Sequence, residues 1–459
     1  MVNTLLVPEI RDLLRKKSYT FLKEFFSEIH EKEAAELIVP LPPSDIWKVL
    51  NLFDEHRRAE IFTYLEMDVQ VKMISGGLKR HVLDLLTPMS KDDRADLFLH
   101  LEKNIADKLL TYLPSRERAD VLHLTSYEEG TAGALMTSDF VALNEKDTVA
   151  QAIKRIRKIA PGKETVYYTY VLSDEGVLMG FVSLRKLILT PPRKLVSDIM
   201  KTDIIYAGVT DDQESATNLI NRYDLLAIPV VNSERKMLGI ITYDDAIDIM
   251  REEQTEDMER LMAISGPVEE KPYLDISIMT HFKKRVVWVI ILGFFGILTG
   301  MIIQGYQKTL ESLIILAFYM PLLNAAGGNT GSQSATVVLR SLALNQLQPQ
   351  DFLKVLRKEF VVSSLLALCL GLITFLRVHL LTNPSQIAPG FTLLSIAFVI
   401  GLALAIQVVW STLFGAIIPI IATRIRIDPA VFSSPALATI VDMGGVVIYF
   451  TMAKLILHI

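Results

Sequence analysis

Residues 313–339 read LIILAFYMPLLNAAGGNTGSQSATVVL, and this stretch decides what class of molecule the chain is. Both ends are apolar, and the run exceeds the about 20 residues that a helix needs to cross a bilayer. The middle is different: after Pro321 come Asn324 and then Gly327-Gly-Asn-Thr-Gly-Ser-Gln-Ser334. Paired glycines and small polar residues loosen a helix, and irregular backbone is tolerated at membrane depth only against protein or water. Freed carbonyls and the oxygens of Asn329, Thr330, Gln333 and Ser334 suit a hard cation, directly or through its hydration water. Close helix packing through small residues is the other reading, and the segment alone leaves both open.

Working outward, four more stretches are long and apolar enough to span: Val286–Tyr306, Phe360–Leu381, Phe391–Ala422 and Ser433–Leu457. With the N-terminus inside, Lys283, Lys284, Arg285, Arg340, Lys354, Arg357, Lys358, Arg424 and Arg426 fall on the inner side, and Lys308 on the outer. That asymmetry sets the orientation. The segment Ile276–Lys284 mixes apolar and basic residues and is expected to lie along the inner surface. Arg377 and His379 are expected to snorkel to the headgroups. Cys369, the single cysteine, excludes an intramolecular disulfide and a cysteine metal cluster, and its apolar setting predicts packing. Asp442 is the lone acid of the last span, just before Gly444-Gly445. A central carboxylate costs on the order of 3 kcal/mol on insertion scales, so it is kept for a function or a partner. Arg377 and Lys454 both stand toward the outer ends of their spans, which leaves cation binding as the preferred role.

The overall charge of −5 on 459 residues hides a division. Residues 1–285 carry 38 basic and 47 acidic side chains, whereas 286–459 carry 9 and 5. The front is a soluble acidic body. It argues against nucleic acid, which needs a basic face, and in favour of a cation. The first residues lack the apolar core of a signal peptide, so the front half is expected to stay in the cytoplasm. No nucleophile–base pair, zinc-spaced histidine set or phosphate loop appears, and the reading is not an enzyme. A channel for anions would want basic groups in the path, where this chain offers an aspartate.

Within that front, residues 20–127 are helical in pattern, and a short unit recurs: Arg58-Ala-Glu-Ile-Phe62, Arg94-Ala-Asp-Leu-Phe98 and Arg118-Ala-Asp-Val-Leu122. Recurrence of this kind reads as stacked helix pairs, an all-α superhelical N domain or α-solenoid. From about Gly130 a repeat of roughly 60 residues follows. Leu135-Met-Thr-Ser-Asp139 matches Ile199-Met-Lys-Thr-Asp203, and Leu178-Met-Gly-Phe-Val-Ser183 matches Met237-Leu-Gly-Ile-Ile-Thr242. This β-α-β-β-α pattern, given twice, resembles an α/β CBS-domain pair. Such pairs commonly bind adenine nucleotides such as ATP through a Ser/Thr and an Asp after the second strand. Thr242 and Asp245 supply both in the second copy; the first has Ser183 but Lys186 in place of the acid.

Between the repeat and the first span run Asp244, Asp245, Asp248, Glu252, Glu253, Glu256, Asp257 and Glu259, opposed by Arg251 and Arg260. On a helix, Asp245, Asp248 and Glu252 share one face, and Glu253, Glu256 and Asp257 approximately another. Like charges at that spacing repel. Either the face is simply solvated, or bound divalent cations cancel the repulsion and fasten the helix to an acidic neighbour.

End to end, the chain resembles the MgtE family of magnesium channels and transporters. The motifs that carry the resemblance are Gly327-Gly-Asn-Thr-Gly331 with Gln333-Ser-Ala335, and Asp428-Pro-Ala430 followed by Ile440-Val-Asp442. The resemblance implies a homodimer in the lipid bilayer of the cell membrane, with five-helix transmembrane domains and a pore on the two-fold axis formed by the second and fifth spans. It places pore sites at Asp442 and at backbone near Ala438, with Asp428 at the cytoplasmic mouth. It places Mg²⁺ sensor sites at Glu60, Asp92 and Asp96, and at Asp212, Glu214, Asp224, Asp245, Asp248, Glu253, Glu256 and Asp257. Ser434 stands where some members have Asn. The expected domains are 1–128 helical N domain, 129–196 and 197–250 CBS domains, 251–284 connecting helix and juxtamembrane segment, and 285–459 pore domain. The expected function is Mg²⁺ uptake gated by cytoplasmic Mg²⁺, with another divalent cation such as Mn²⁺ or Co²⁺ as the alternative.

Overall fold

The computed structural model describes residues 6–77, 79–269, 273–274, 276–344, 346–383, 387–425 and 428–458 and, for 79, 162 and 429–436, the backbone only. Arg426 and the Ser434 side chain thus lie outside the described residues. The chain divides into two compact units, Met1–Glu253 and Gln254–Ile459.

The first unit opens with short helices: α1 (Val7–Arg15), α2 (Tyr19–Glu28), α3 (Glu31–Ile38), α4 (Pro43–Leu50), α5 (Glu55–Thr63), α6 (Met67–Gly76), α7 (Lys79–Leu86), α8 (Lys91–His100), α9 (Lys103–Tyr112) and α10 (Ser115–Leu124). Their inward faces build a core around Leu22, Phe26, Ile38, Leu50, Phe62, Met73 and Leu85. The recurring arginine of the sequence has a physical role. Arg58 on α5 donates to the carbonyls of Leu50 and Phe53, Arg94 on α8 to those of Leu86 and Thr87, and Arg118 on α10 to those of Thr111 and Leu113. The last carbonyls of a helix have no partner within it. Each arginine satisfies those of an earlier helix and fixes the turn between pairs.

After α11 (Ala132–Leu135), the α/β repeat follows. Its first copy holds β1 (Ala142–Asn144), α12 (Val149–Ile159), β2 (Tyr168–Leu172), β3 (Leu178–Ser183) and α13 (Leu184–Leu189). The second holds β4 (Ala207–Gly208), α14 (Gln213–Arg222), β5 (Ala227–Val231), β6 (Met237–Thr242) and α15 (Tyr243–Leu261). Both sheets have the same order, with a parallel first pair, an antiparallel second pair and a bulge at the same place, Val171/Leu172 and Val230/Val231. The lead-in segments are exchanged: Thr137 pairs with Ile240 of the second copy, and Lys201 with Phe181 of the first. This exchange explains the glycine in each matched strand. A Cβ on Gly180 would lie 2.8 Å from the Lys201 carbonyl oxygen, and one on Gly239 2.6 Å from that of Thr137.

The second unit contains α16 (Ile278–Gly305), α17 (Gln307–Ser312), α18 (Ile315–Ala343), α19 (Phe352–Leu381), α20 (Leu393–Arg424) and α21 (Pro429–Leu457). The segments Ile278–Gly305, Pro349–Leu381, Leu393–Arg424 and Leu437–Leu457 are long and apolar enough to cross a membrane. Although α18 has 29 residues, its polar middle keeps it out of that set. It has the length of a span but one face that lipid would not accept. At the centre, α20 packs against α18, α19 and α21.

The second unit departs from the sequence pattern at several points. The backbone of α18 is continuous helix through Pro321 and the glycine motif. Its glycines admit neighbours instead of loosening the helix: a Cβ on Gly331 would lie 2.6 Å from Ser411 Oγ, and one on Gly327 2.7 Å from Gln407 Nε2. Small-residue packing is therefore the role of those two positions. From Ile278 on, the segment expected along the inner surface is one helix with the first span. Arg377 is exposed near the end of α19, where its Nη1 donates to Tyr319 OH at 2.7 Å and its guanidinium lies 5.0 Å from that ring's centre. Cys369 is exposed on the surface of α19.

Candidate functional site

The second unit gives the polar stretch two faces. Leu323, Gly327, Thr330, Gly331, Ser334 and Ala335 are buried. Ala325, Asn329, Ser332, Gln333 and Thr336 are exposed. Packed against α18, α21 presents an exposed Ala438 and a half-buried Asp442. Among the described residues Asp442 makes no hydrogen bond or ion pair. Neither basic residue considered as its partner takes that part, since Arg377 is engaged by Tyr319 and Lys454 is exposed. A polar helix face and a carboxylate with no basic partner can together accept a cation and its hydration water.

At the other end of this unit the acids are already matched. Arg260 on α15 bonds both Glu256 and Asp428. Lys284, on the first turns of α16, has a side chain only 9% exposed; its Nζ lies 3.7 Å from Glu259 and 3.5 Å from Glu269 and donates to the Pro267 carbonyl. Ser334 Oγ donates to Glu359 on α19 at 2.9 Å. None of Glu359, Gln407, Arg260 and Lys284 stood out as a site residue in the sequence. Glu359 fell one residue before the span taken to begin at Phe360; Gln407, Lys284 and the Asp428 contact of Arg260 reveal themselves only through partners distant in sequence.

In the first unit the opposite holds. Asp92 and Asp93 on α8, Asp244 and Asp245 at the start of α15, and Glu164 repel one another. Burial, then Asp93, pushes the Asp92 carboxyl up to about 6, and Asp92 Oδ1 is buried without a hydrogen-bond partner. Burial and Asp92 raise Asp96 to about 7 and Glu164 to about 7. Asp245 is raised to about 8 by burial and Asp92, against the lowering effect of the Thr242 hydroxyl, which donates to it at 2.5 Å. A cavity of about 710 Å³ adjoins this cluster, lined by Glu60, Asp93, Asp139 and Glu164 among others. Lys91 enters it, 3.2 Å from Asp120 and 3.3 Å from Asp139.

The remaining expected sensor residues are scattered. Asp212 caps α14 through the Ser215 amide, Glu214 is exposed, and Asp224 sits at φ 50°. Asp248 pairs with Arg251 at 3.2 Å, and Glu253 accepts from Gln213 at 2.7 Å. Asp257 is exposed. Among the described residues no three acid or histidine side chains form a preassembled metal cage.

The two CBS-like copies differ around their nucleotide positions. Thr242 and Asp245 are bonded to each other inside the acidic cluster. The first copy opens a groove of about 1,210 Å³ lined by Tyr167, Tyr168, Phe181, Arg185, Lys186 and Lys201. Ser183 there caps α13 through the Lys186 amide.

Comparison with known proteins follows the same division. Residues 29–130 match the MgtE intracellular N domain, 132–190 and 196–252 match CBS domains, and 320–452 match the MgtE divalent cation transporter model. A magnesium transporter MgtE from Thermus thermophilus is 34% identical over 99% of both chains, and one from Bacillus subtilis 32% identical over 93% of this chain and 94% of that one. A crystal structure of the cytosolic domain of the Mg²⁺ channel MgtE in complex with ATP is 33% identical, with a TM-score of 0.51; it covers 53% of this chain and all of that one. A soluble part of a magnesium transporter matches at 32% identity and TM-score 0.51, over 54% of this chain and 97% of that one. The chain is a multi-pass membrane protein with soluble N-terminal domains, and it belongs to the MgtE family of divalent cation transporters.

Proposed function

We propose that the protein carries Mg²⁺ across the membrane along a path between α18 and α21, and that Mg²⁺ at the acidic cluster of the soluble unit closes that path. The observation that carries the first half is Asp442, a carboxylate without hydrogen bond or ion pair among the described residues, on a helix packed beside the polar α18. Magnesium dehydrates reluctantly, so a path with one acid and several neutral oxygens recognises the hydrated ion without stripping it. Asn329, the backbone near Ala438, and Asp428 at the inner end are its other candidate contacts. The exposed polar face of α18 needs water or protein against it at membrane depth, which supports a homodimer with the path on its two-fold axis.

The regulatory half rests on the raised carboxylates. Burial first, and then the repulsion of neighbouring carboxylates, makes Asp92, Asp96 and Asp245 hold a proton more tightly than free acids do, and a divalent cation among them would relieve the repulsive part. Glu60, Asp212, Glu214, Asp224, Asp248, Glu253, Glu256 and Asp257 remain candidates for peripheral contacts. The working division of the chain stays 1–128, 129–196, 197–250, 251–284 and 285–459.

Magnesium flux into liposomes containing the purified protein tests the path. Asp442→Ala is expected to abolish most flux while the protein stays folded; wild-type flux through that variant would overturn the reading. We further infer that an adenine nucleotide binds the CBS pair. Thr242 and Asp245 offer hydrogen bonds, but the first-copy groove offers Arg185, Lys186 and Lys201 to phosphates. Titration calorimetry with ATP separates the two: loss of heat in Lys201→Ala places the phosphates in the groove, and loss in Asp245→Ala alone places the nucleotide in the second copy.

A further inference from the structure

Gln407 lies in the middle of α20 and is 0% exposed, yet both its amide Nε2 and its Oε1 lack a hydrogen-bond partner among the described residues. A polar group buried at membrane depth without a partner is costly, and each such group calls for a reason. The amide is wedged between two glycines on different helices. A Cβ on Gly327 of α18 would lie 2.7 Å from Nε2, and one on Gly445 of α21 would meet the same amide, with Cδ at 2.7 Å and Oε1 at 3.2 Å. The contact continues toward Asp442: the Gly327 Cβ would also lie 3.0 Å from Val441 Cγ1, next to that acid. One turn further along α20, Ser411 Oγ bonds the Gly327 carbonyl and Trp410 packs against Gly444, where a Cβ would lie 2.7 Å from its Nε1. Gly327, Gly444 and Gly445 are thus small because α20 inserts polar side chains between the other two helices.

We propose that Gln407 is a positioning residue of the cation path: its buried amide, wedged between Gly327 and Gly445, sets the separation of α18 and α21 at Asp442. The inference rests on the path proposed above. An apolar side chain of similar length would fill the space at lower cost, so a role in packing alone does not account for an amide here. Met is such a side chain, and it separates the two accounts. If Gln407 only fills space, Gln407→Met raises the thermal midpoint and leaves transport as it was. If the amide positions the path, the same variant is as stable or more so, yet its half-saturating Mg²⁺ concentration rises at least fivefold and discrimination against Ca²⁺ falls.

The experiment is Mg²⁺ and Ca²⁺ flux in liposomes for the full-length wild type, Asp442→Ala, Gln407→Met, Gly445→Ala and Gly293→Ala. Gly445→Ala displaces the same amide and is expected to behave like Gln407→Met. Gly293→Ala meets nothing within 4 Å and is expected to match wild type. Should Gln407→Met fail to purify as a folded protein, Gln407→Glu takes its place; it keeps the shape, adds a titratable group, and is expected to shift the pH profile of flux away from that of wild type. Unchanged half-saturation and selectivity in Gln407→Met, or an unchanged pH profile in Gln407→Glu, overturns the inference while a silent Asp442→Ala still upholds the path. Wild-type flux through Asp442→Ala overturns the path itself.

Discussion

The two ends of α15 carry acids that the protein treats in opposite ways. At its start, Asp244 and Asp245 lie near Asp92 and Asp93, and burial, then the repulsion from Asp92, Asp244 and Asp93, drives Asp245 up to about 8. At its end, Glu256 meets Arg260 and Glu259 meets Lys284. The same composition thus gives a cluster of mutually repelling acids at one end and a set of fixed ion pairs at the other. What decides between them is the presence of a resident base. Where Arg260 and Lys284 already neutralise the carboxylates, a divalent cation gains little by entering. Where carboxylates face one another across buried surface, a cation removes a repulsion and bridges two parts of the fold.

The largest effect expected from breaking this contrast is at Lys284. Lys284→Met leaves Glu259 and Glu269 without their shared ammonium and should destabilise the protein by about 3 kcal/mol, the low end for breaking a buried pair. Thermal unfolding of the detergent-solubilised protein measures it; a change below about 1 kcal/mol would place the pair among surface bridges of little worth.

A second test uses pH. A carboxylate whose folded-state pKa stands above its unfolded value holds its proton more tightly when folded. Without divalent ions, the contribution of Asp92, Asp96 and Asp245 should therefore favour the folded state at low pH and decline as pH rises from about 4, the unperturbed value, to about 8. Magnesium should restore the loss at pH 8 and add little at pH 5. Asp245→Asn should flatten the profile, and an unaltered profile in that variant would assign the pH dependence to other groups.

The smallest effect is expected at Arg260, whose side chain and those of Glu256 and Asp428 all keep solvent contact. Arg260→Gln should cost about 1 kcal/mol or less. It should also make the inner end of the path more sensitive to Mg²⁺, because Glu256 and Asp428 then resemble the acids at the start of α15. Flux that responds to Mg²⁺ as in wild type would show that Arg260 does not screen them.

Sequence reading went far where a pattern repeats along the chain. The arginine unit at 58, 94 and 118 and the matched strands around Gly180 and Gly239 both announced real elements, because each copy meets the same local constraint. Apolar length likewise marked the membrane half. Partners across helices were invisible. Nothing near Gln407, Glu359 or Lys284 in sequence points to Gly445, Ser334 or Glu269. For the same reason the glycine motif of α18 read as loosened backbone: Gly327 and Gly331 make room for Gln407 and Ser411, side chains about eighty residues away along the chain.

Flux measured against Mg²⁺ on the side of the soluble unit, comparing wild type with Asp92→Asn/Asp245→Asn, tests the acidic cluster most directly. Moving a two-state population from about 1:99 to 99:1 takes about 5.5 kcal/mol of differential binding, and these two acids lie at the centre of the cluster that would supply it. Wild type should fall silent as Mg²⁺ rises, and the double variant should keep conducting at concentrations that silence wild type. Closure of both at the same Mg²⁺ concentration would contradict the assignment of the acidic cluster as the sensor.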